Sequence, residues 1–252
     1  MQKSFRPDAS LVSAVAASPN FDARLGGTPD MILLHYTGMA SAEAALARLC
    51  DPAAKVSSHY FVHEDGRVLQ LVPETQRAWH AGEALWDGKS DINSCSIGIE
   101  IVNPGHDLGY PHFPRVQIEA VIALCHDIIK RSRIRADRIL AHSDVAPLRK
   151  QDPGEKFPWE ILHDKGVGHL VTPALLTQGP ALKPGDRGEA VTMLQTMLAR
   201  YGYGVPLTGE FDATTADVVT AFQRHFRRVR VDGIADTSTV TTLRDLLAAR
   251  PI

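Results

Sequence analysis

The stretch Ala141 to Gly154, reading AHSDVAPLRKQDPG, most restricts how this 252-residue chain can fold. It places His142 ten residues before Asp152, with Lys150 two positions from that aspartate. Pro147, Pro153 and Gly154 punctuate the segment, so most of it reads as loop rather than helix. A neutral imidazole and a carboxylate are good donors for a borderline metal such as zinc. A nearby ammonium can stabilise an oxyanion. The loop therefore has to fold back until two donors face one point, and a third donor has to come from elsewhere in the chain.

The regions around this loop read as alternating strands and helices. Met31-Ile32-Leu33-Leu34 is an apolar run ending at His35, which suits a buried strand that delivers a histidine. Arg138 to Ala141 is a second short strand, and it delivers His142. Ala42 to Leu49 reads as a helix. Ser57 to Val72 reads as a β-hairpin turning at Glu64-Asp65-Gly66. Ser96 to Val102 is a further strand, with Glu100 between two isoleucines. From Pro114, the residues Ile118, Val121, Ile122, Cys125, Ile128 and Ile129 recur at helical spacing and give that helix one buried face. This mixture predicts an α/β fold: a single mixed β-sheet flanked by helices.

Composition shifts near Val171. Residues 172–184 read as a Pro/Gly-rich linker between a domain over 1–171 and a smaller one over 185–252. The latter reads as a three-helix module with an internal echo. Asp212, Thr215, Val219 and Phe222 match Asp236, Thr239, Leu243 and Leu246 at identical offsets. Each aspartate can cap a helix start. A helix over 189–201 turns Val191, Leu194 and Leu198 inward. A module this small lies near the lower limit for folding alone. The basic run Arg224 to Arg230 reads as a solvated helix end.

With a net charge of −2, the chain does not resemble a dedicated nucleic-acid binder, and no apolar run is long enough to span a membrane. Cys50, Cys95 and Cys125 form no CxxC pair, which argues against a thiolate zinc site or a disulfide framework. Lys3 and Arg6 precede an apolar run from Leu11 to Ala17 that is near the minimum length and contains Ser13, so it makes no convincing signal peptide. The sequence carries no signature of an oligomeric state.

A lone histidine at the end of a strand is more often a hydrogen-bonded core residue than a ligand. His35 and His142 weigh more as a pair, because Asp152 follows on the loop of the second. Two histidines and a carboxylate with an open fourth position make a hydrolytic zinc site. On pattern alone, Glu100 can point to solvent or serve as a general base that later returns the proton to a leaving amine. Lys150 is either a surface lysine or the charge that stabilises a tetrahedral intermediate. His59 and His80 are placed on the cleft wall as substrate contacts. His63, His106, His112, His126, His163, His169 and His225 have no partner pattern.

HYTGM at 35–39, SSHYFV at 57–62, AWHAG at 78–82, SIGIEIVN at 96–103 and AHSDVAP with RKQDPG and FPW over 141–159 resemble the type 2 N-acetylmuramoyl-L-alanine amidases. These are relatives of the phage-lysozyme amidases and the peptidoglycan recognition proteins. The resemblance covers residues 15–165. It implies one zinc ion held by His35, His142 and Asp152, with Glu100 as catalytic glutamate and Lys150 stabilising the transition state. It implies cleavage of the amide between N-acetylmuramic acid and L-alanine, in peptidoglycan or its muropeptide fragments. The alternative it leaves open is a non-catalytic recognition protein that only binds peptidoglycan. Residues 182–198, 209–223 and 231–243 are similar to the helical peptidoglycan-binding domain, which implies an anchoring role. That module implies the cell envelope or periplasm. The weak signal segment leaves the cytoplasm as the alternative.

Overall fold

A computed structural model describes residues 5–251. Lys3 of the weak signal segment therefore lies outside the described residues. Among the described residues there are ten strands: β1 (Val12–Val15), β2 (Phe21–Ala23), β3 (Met31–Tyr36), β4 (Tyr60–Val62), β5 (Val68–Gln70), β6 (Gln76–Ala78), β7 (Ser96–Ile101), β8 (Ile139–Ala141), β9 (Ala181–Leu182) and β10 (Ala235–Asp236). Eight helices accompany them: α1 (Ala42–Cys50), α2 (Ile92–Cys95), α3 (Arg115–Ser132), α4 (His142–Val145), α5 (Trp159–Asp164), α6 (Glu189–Tyr201), α7 (Ala213–Phe226) and α8 (Thr237–Ala248). The main sheet has six strands in the order β1-β5-β4-β7-β3-β8. Only β4 and β5, the expected hairpin, pair antiparallel; every other neighbour pair is parallel. Two-stranded ribbons, β2 with β6 and β9 with β10, complete the pairing.

Strand β3, between β7 and β8, explains its own composition. Met31, Ile32, Leu33 and Leu34 are all fully buried, because a parallel strand in mid-sheet is covered on both faces. Side chains alternate across the pleat. Ile32 and Leu34, with Ile97, Ile99 and Ile101 of β7, pack under α3 against Ile118, Val121, Leu124, Cys125 and Ile128. The expected inward face of α3 is thus correct in kind. Ile122 and Ile129 flank it, half-buried, and Leu124 joins it. Pro114 sits at the helix cap, one position before the helix proper.

The opposite face has two covers. Helix α1 lies over Phe61, Leu69 and Leu71 at one side. At the other, Met31, Leu33 and Leu140 belong to a buried cluster that continues through Trp86, Val145 and Ala146 into Leu198, Tyr201, Phe222 and Phe226. The C-terminal helices and the sheet therefore share one core. The echo in the module holds: Asp212 accepts hydrogen bonds from the Thr215 backbone N–H (2.8 Å), and Asp236 from that of Thr239 (2.7 Å).

The basic run is not a solvated helix end. Arg227 is fully buried, donating to Thr239 Oγ1 (2.6 Å), and His225 is buried beside it in the chain. Arg228 pairs with Glu160 and donates to the Glu155 carbonyl (2.6 Å). Charge density alone does not distinguish a wet surface from a polar seam between two packed parts of a chain.

Candidate active site

Strand register assembles the site. In the β3–β7 ladder, His35 stands opposite Glu100, so the two side chains leave the sheet on the same face. In the β3–β8 ladder, Leu34 stands opposite Ala141, so His142 emerges just past the end of β8. All three residues lie at the carboxyl ends of parallel strands, where open α/β sheets place their ligands. The Ala141–Gly154 segment is not irregular from its start: His142 to Val145 make one helical turn, α4. Beyond it the chain folds back, and the Ser143 N–H donates to the Asp152 carbonyl (3.0 Å). That bond brings His142 and Asp152 together across the ten-residue gap.

The three expected donors converge. His35 Nδ1 and His142 Nδ1 are 2.9 Å apart, and Asp152 Oδ2 lies 3.2 Å from the first and 3.0 Å from the second. A tetrahedral site with bonds of about 2.0 Å has ligand–ligand edges of about 3.3 Å, so this triangle is close to one face of such a site. His142 Nε2 lies 3.0 Å from the Ala81 carbonyl. Donation to that oxygen fixes the tautomer and leaves Nδ1 with a free lone pair. Burial, followed by the proximity of His142, pushes the His35 pKa down to about 4, so this imidazole is neutral near pH 7. Burial alone would raise the Asp152 carboxyl. The two imidazoles outweigh it and hold the group well below the usual carboxylate range. The imidazoles of His35 and His142 and the ionised Asp152 carboxylate, all buried and aimed at one point, can hold a metal ion.

These residues sit in a cleft of about 390 Å³ whose walls also include Tyr36, Trp79, His80, Glu100, Arg149 and Lys150. Glu100 points into it, not to bulk solvent. Its Oε2 is buried and has no hydrogen-bond partner. Burial, reinforced by the charge of Asp152, raises its pKa well above the ordinary carboxyl value. Lys150, which also lines the cleft, opposes that shift.

The two weakly assigned histidines separate. His80 lines the cleft, with Nδ1 3.1 Å from His35 Nε2. His59 does not reach the cleft wall, and its placement there is corrected. It is fully buried, accepts the Gly98 N–H at Nδ1 (3.0 Å) and lies 3.1 Å from the Gln76 carbonyl through Nε2. Gly98 also explains the position of His80: a Cβ there would stand 2.5 Å from the His80 ring. Sequence reasoning passed over a chain that ends in the cleft, Tyr36 Oη to His106 Nδ1 (3.0 Å) and His106 Nε2 to Glu155 (3.1 Å). It also passed over Asp144, fully buried two residues after His142. The signal for Asp144 was available in the AHSD motif itself, as an acidic residue two positions after a candidate ligand.

The family model for N-acetylmuramoyl-L-alanine amidase matches residues 25–155, and that for a putative peptidoglycan binding domain matches residues 187–243. The chain is 37% identical over 232 residues to the N-acetylmuramoyl-L-alanine amidase AmiD of Escherichia coli (strain K12), covering 86% of this chain and 82% of that protein. It is 40% identical over 108 residues to the 1,6-anhydro-N-acetylmuramyl-L-alanine amidase AmpD of Enterobacter cloacae, covering 43% and 56%. Its fold is similar to that of the E. coli AmiD amidase solved with the substrate anhydro-N-acetylmuramic acid-L-Ala-D-gamma-Glu-L-Lys, with a TM-score of 0.74, 35% identity and coverage of 96% and 93%. It is also similar to AMPDH3 from Pseudomonas aeruginosa, with a TM-score of 0.75, 30% identity and coverage of 90% and 94%. The chain belongs to the N-acetylmuramoyl-L-alanine amidase family.

Proposed function

We propose that this protein is a zinc-dependent amidase that hydrolyses the bond between N-acetylmuramic acid and L-alanine, and that His35, His142 and Asp152 hold the ion. The observation that carries this reading is the triangle of donor atoms beside a buried, unpartnered Glu100 oxygen in one cleft. Zinc, when bound, polarises a carbonyl and lowers the pKa of water toward ~7. The residues supply the rest. Glu100, with its raised pKa, takes the proton of the attacking water and returns it to the departing alanine nitrogen. Lys150 faces the oxygen that gains charge in the tetrahedral intermediate. His80 packs on the far edge of His35 and fixes that ring.

The peptidoglycan-binding module supports association with the cell wall, and we place the enzyme in the envelope. We take residues 1–171 as the catalytic part, 172–184 as the connection and 185–252 as the binding part. Among the described residues no helix is long and apolar enough to cross a membrane.

The test is mass spectrometry of products from intact sacculi and from soluble anhydro-muropeptides, run side by side with wild type and Glu100→Gln. Wild type should release a free L-alanine amino terminus, and the variant should lose about 10²–10⁴ in rate with its metal retained. Equal rates in both would remove Glu100 from the mechanism. Binding to sacculi without any new amino terminus would favour a recognition role instead.

A further inference from the structure

We propose that Tyr203 and His225, both in the C-terminal part, are positioning residues for the metal site and act through Asp144. The inference rests on the reading that His142 is a zinc ligand. Asp144 is fully buried and receives three hydrogen bonds. The Ala141 N–H donates to Oδ2 (2.8 Å), His225 Nδ1–H donates to Oδ2 (2.7 Å), and the Tyr203 hydroxyl donates to Oδ1 (2.6 Å). Ala141 and Asp144 flank His142 in the single turn of α4. Four residues of helix do not hold themselves, because one turn fixes several dihedrals for a single hydrogen bond. The carboxylate therefore clamps the turn, and two of its three donors come from the far end of the sequence.

Those donors are rigid. The His225 ring stacks on Trp159 (3.7 Å between centroids) on one side and on Phe226 (3.8 Å) on the other. The Tyr203 ring meets Trp86 edge to face at 4.9 Å. The other end of the metal loop is tied to the same helix, since Arg224 of α7 donates to Gln151, the neighbour of Asp152 (3.3 Å). Both ligands of the loop thus stand one or two residues from a bond to the C-terminal part. Removing two donors leaves a buried carboxylate under-bonded, which is relieved by rotation or by water entry, and either one releases α4.

The experiment uses the full chain, stripped of metal and titrated with zinc against a chromophoric chelator. Hydrolysis of a soluble muropeptide is followed in parallel, with kcat and KM separated. The double variant Tyr203→Phe/His225→Phe keeps every ring and removes both donors. It should weaken zinc binding by about 10–100-fold and lower kcat while KM stays within about twofold. His225→Asn, which retains a donor near the Nδ1 position, should restore most of the zinc affinity lost in His225→Phe. Leu243→Ala, in the buried core of α8, serves as a stability control and should keep wild-type zinc affinity in its folded state. Wild-type zinc affinity and kcat in the folded double variant would overturn the proposal. So would an equal loss of zinc in Leu243→Ala, since that would make the effect one of general stability. Should the double variant not fold, Tyr203→Phe alone decides by the same readouts. A wild-type chain that binds no zinc would overturn the site reading along with the inference, an outcome distinct from a failure confined to the variants.

Discussion

His35, His142 and Asp152 show how burial and charge can be set against each other within one side chain. Asp152 keeps its charge in a buried place only because two imidazoles face it, so removing that charge should remove the reason for the cluster. Asp152→Asn is nearly isosteric, and we expect it to weaken zinc binding by more than the ~10–100-fold that loss of an outer partner costs. Chelator competition measures this, and undiminished affinity would dismiss Asp152 as a ligand. These three residues were legible in the sequence only as a set: either histidine alone has an ordinary use at a strand end, but two such histidines with Asp152 on the loop of the second point to one site. Glu100 was not settled in the same way. Alternation says which face a strand residue takes, but only the register opposite His35 says that this face is a cleft. His59 was misplaced for the converse reason, since its neighbours in SSHY look the same whether the ring faces a cleft or the Gly98 backbone. Its burial, with the Arg24 guanidinium 2.8 Å from Nε2, pushes its pKa down to about 3. The unfolded chain protonates this imidazole near pH 6.5 and the folded chain does not, so its contribution is full above pH 6.5 and is lost as pH falls toward 3. The loss should approach about 1.4 kcal/mol per pH unit in urea titrations. His59→Asn, which keeps an acceptor for Gly98, should flatten that acid limb. An unchanged slope would assign the acid sensitivity to other groups.

At the scale of elements, the apolar runs of β3 and β7 and the helical stripe of α3 were plain from spacing, because each has one period and a core to pack against. The sheet order was not, since β1-β5-β4-β7-β3-β8 depends on crossovers that no local pattern encodes. In the module, both aspartate caps were readable. The buried glutamines that serve the turns were not, because Gln195 and Gln223 look like surface residues until their amides are seen bonded to the backbone of residues 209–210 and 232–234. Strand β7 carries the sharpest constraint of this kind. Gly98 leaves room for the His80 ring, which in turn packs edge to face on His35 with centroids 5.1 Å apart. Gly98→Ala therefore pushes on a metal ligand through one intermediate ring. We expect a loss of about 1–3 kcal/mol in stability from overpacking, together with a lower zinc affinity. Calorimetry and metal titration on the same sample would show both. A stability loss with intact zinc affinity would mean that His80 moves without carrying His35.

On the scale of the whole molecule, the composition near Thr172 reads as a linker between two parts, and one buried cluster runs through both. The sequence could not reveal this, because Trp86 and Tyr203 read as ordinary aromatic residues until they are seen packed together, with Trp86 and Tyr203 also forming an isolated β-bridge. The junction leaves no spare room. The Asp87 N–H donates to the Gly202 carbonyl (2.8 Å), and a Cβ on Gly202 would lie 2.5 Å from the Trp86 indole. Gly202 also has φ +137°, a conformation that other residues adopt only under strain. Gly202→Ala should cost about 2–4 kcal/mol. Because the strain falls on a core common to the sheet and the helices, wild type and variant should each unfold in one transition, the variant at lower urea. Tryptophan emission, whose three sources all precede residue 172, and far-UV circular dichroism should coincide. An unchanged midpoint, or a helical transition separated from the tryptophan transition, would show that the two parts fold independently and that the cluster does not couple them.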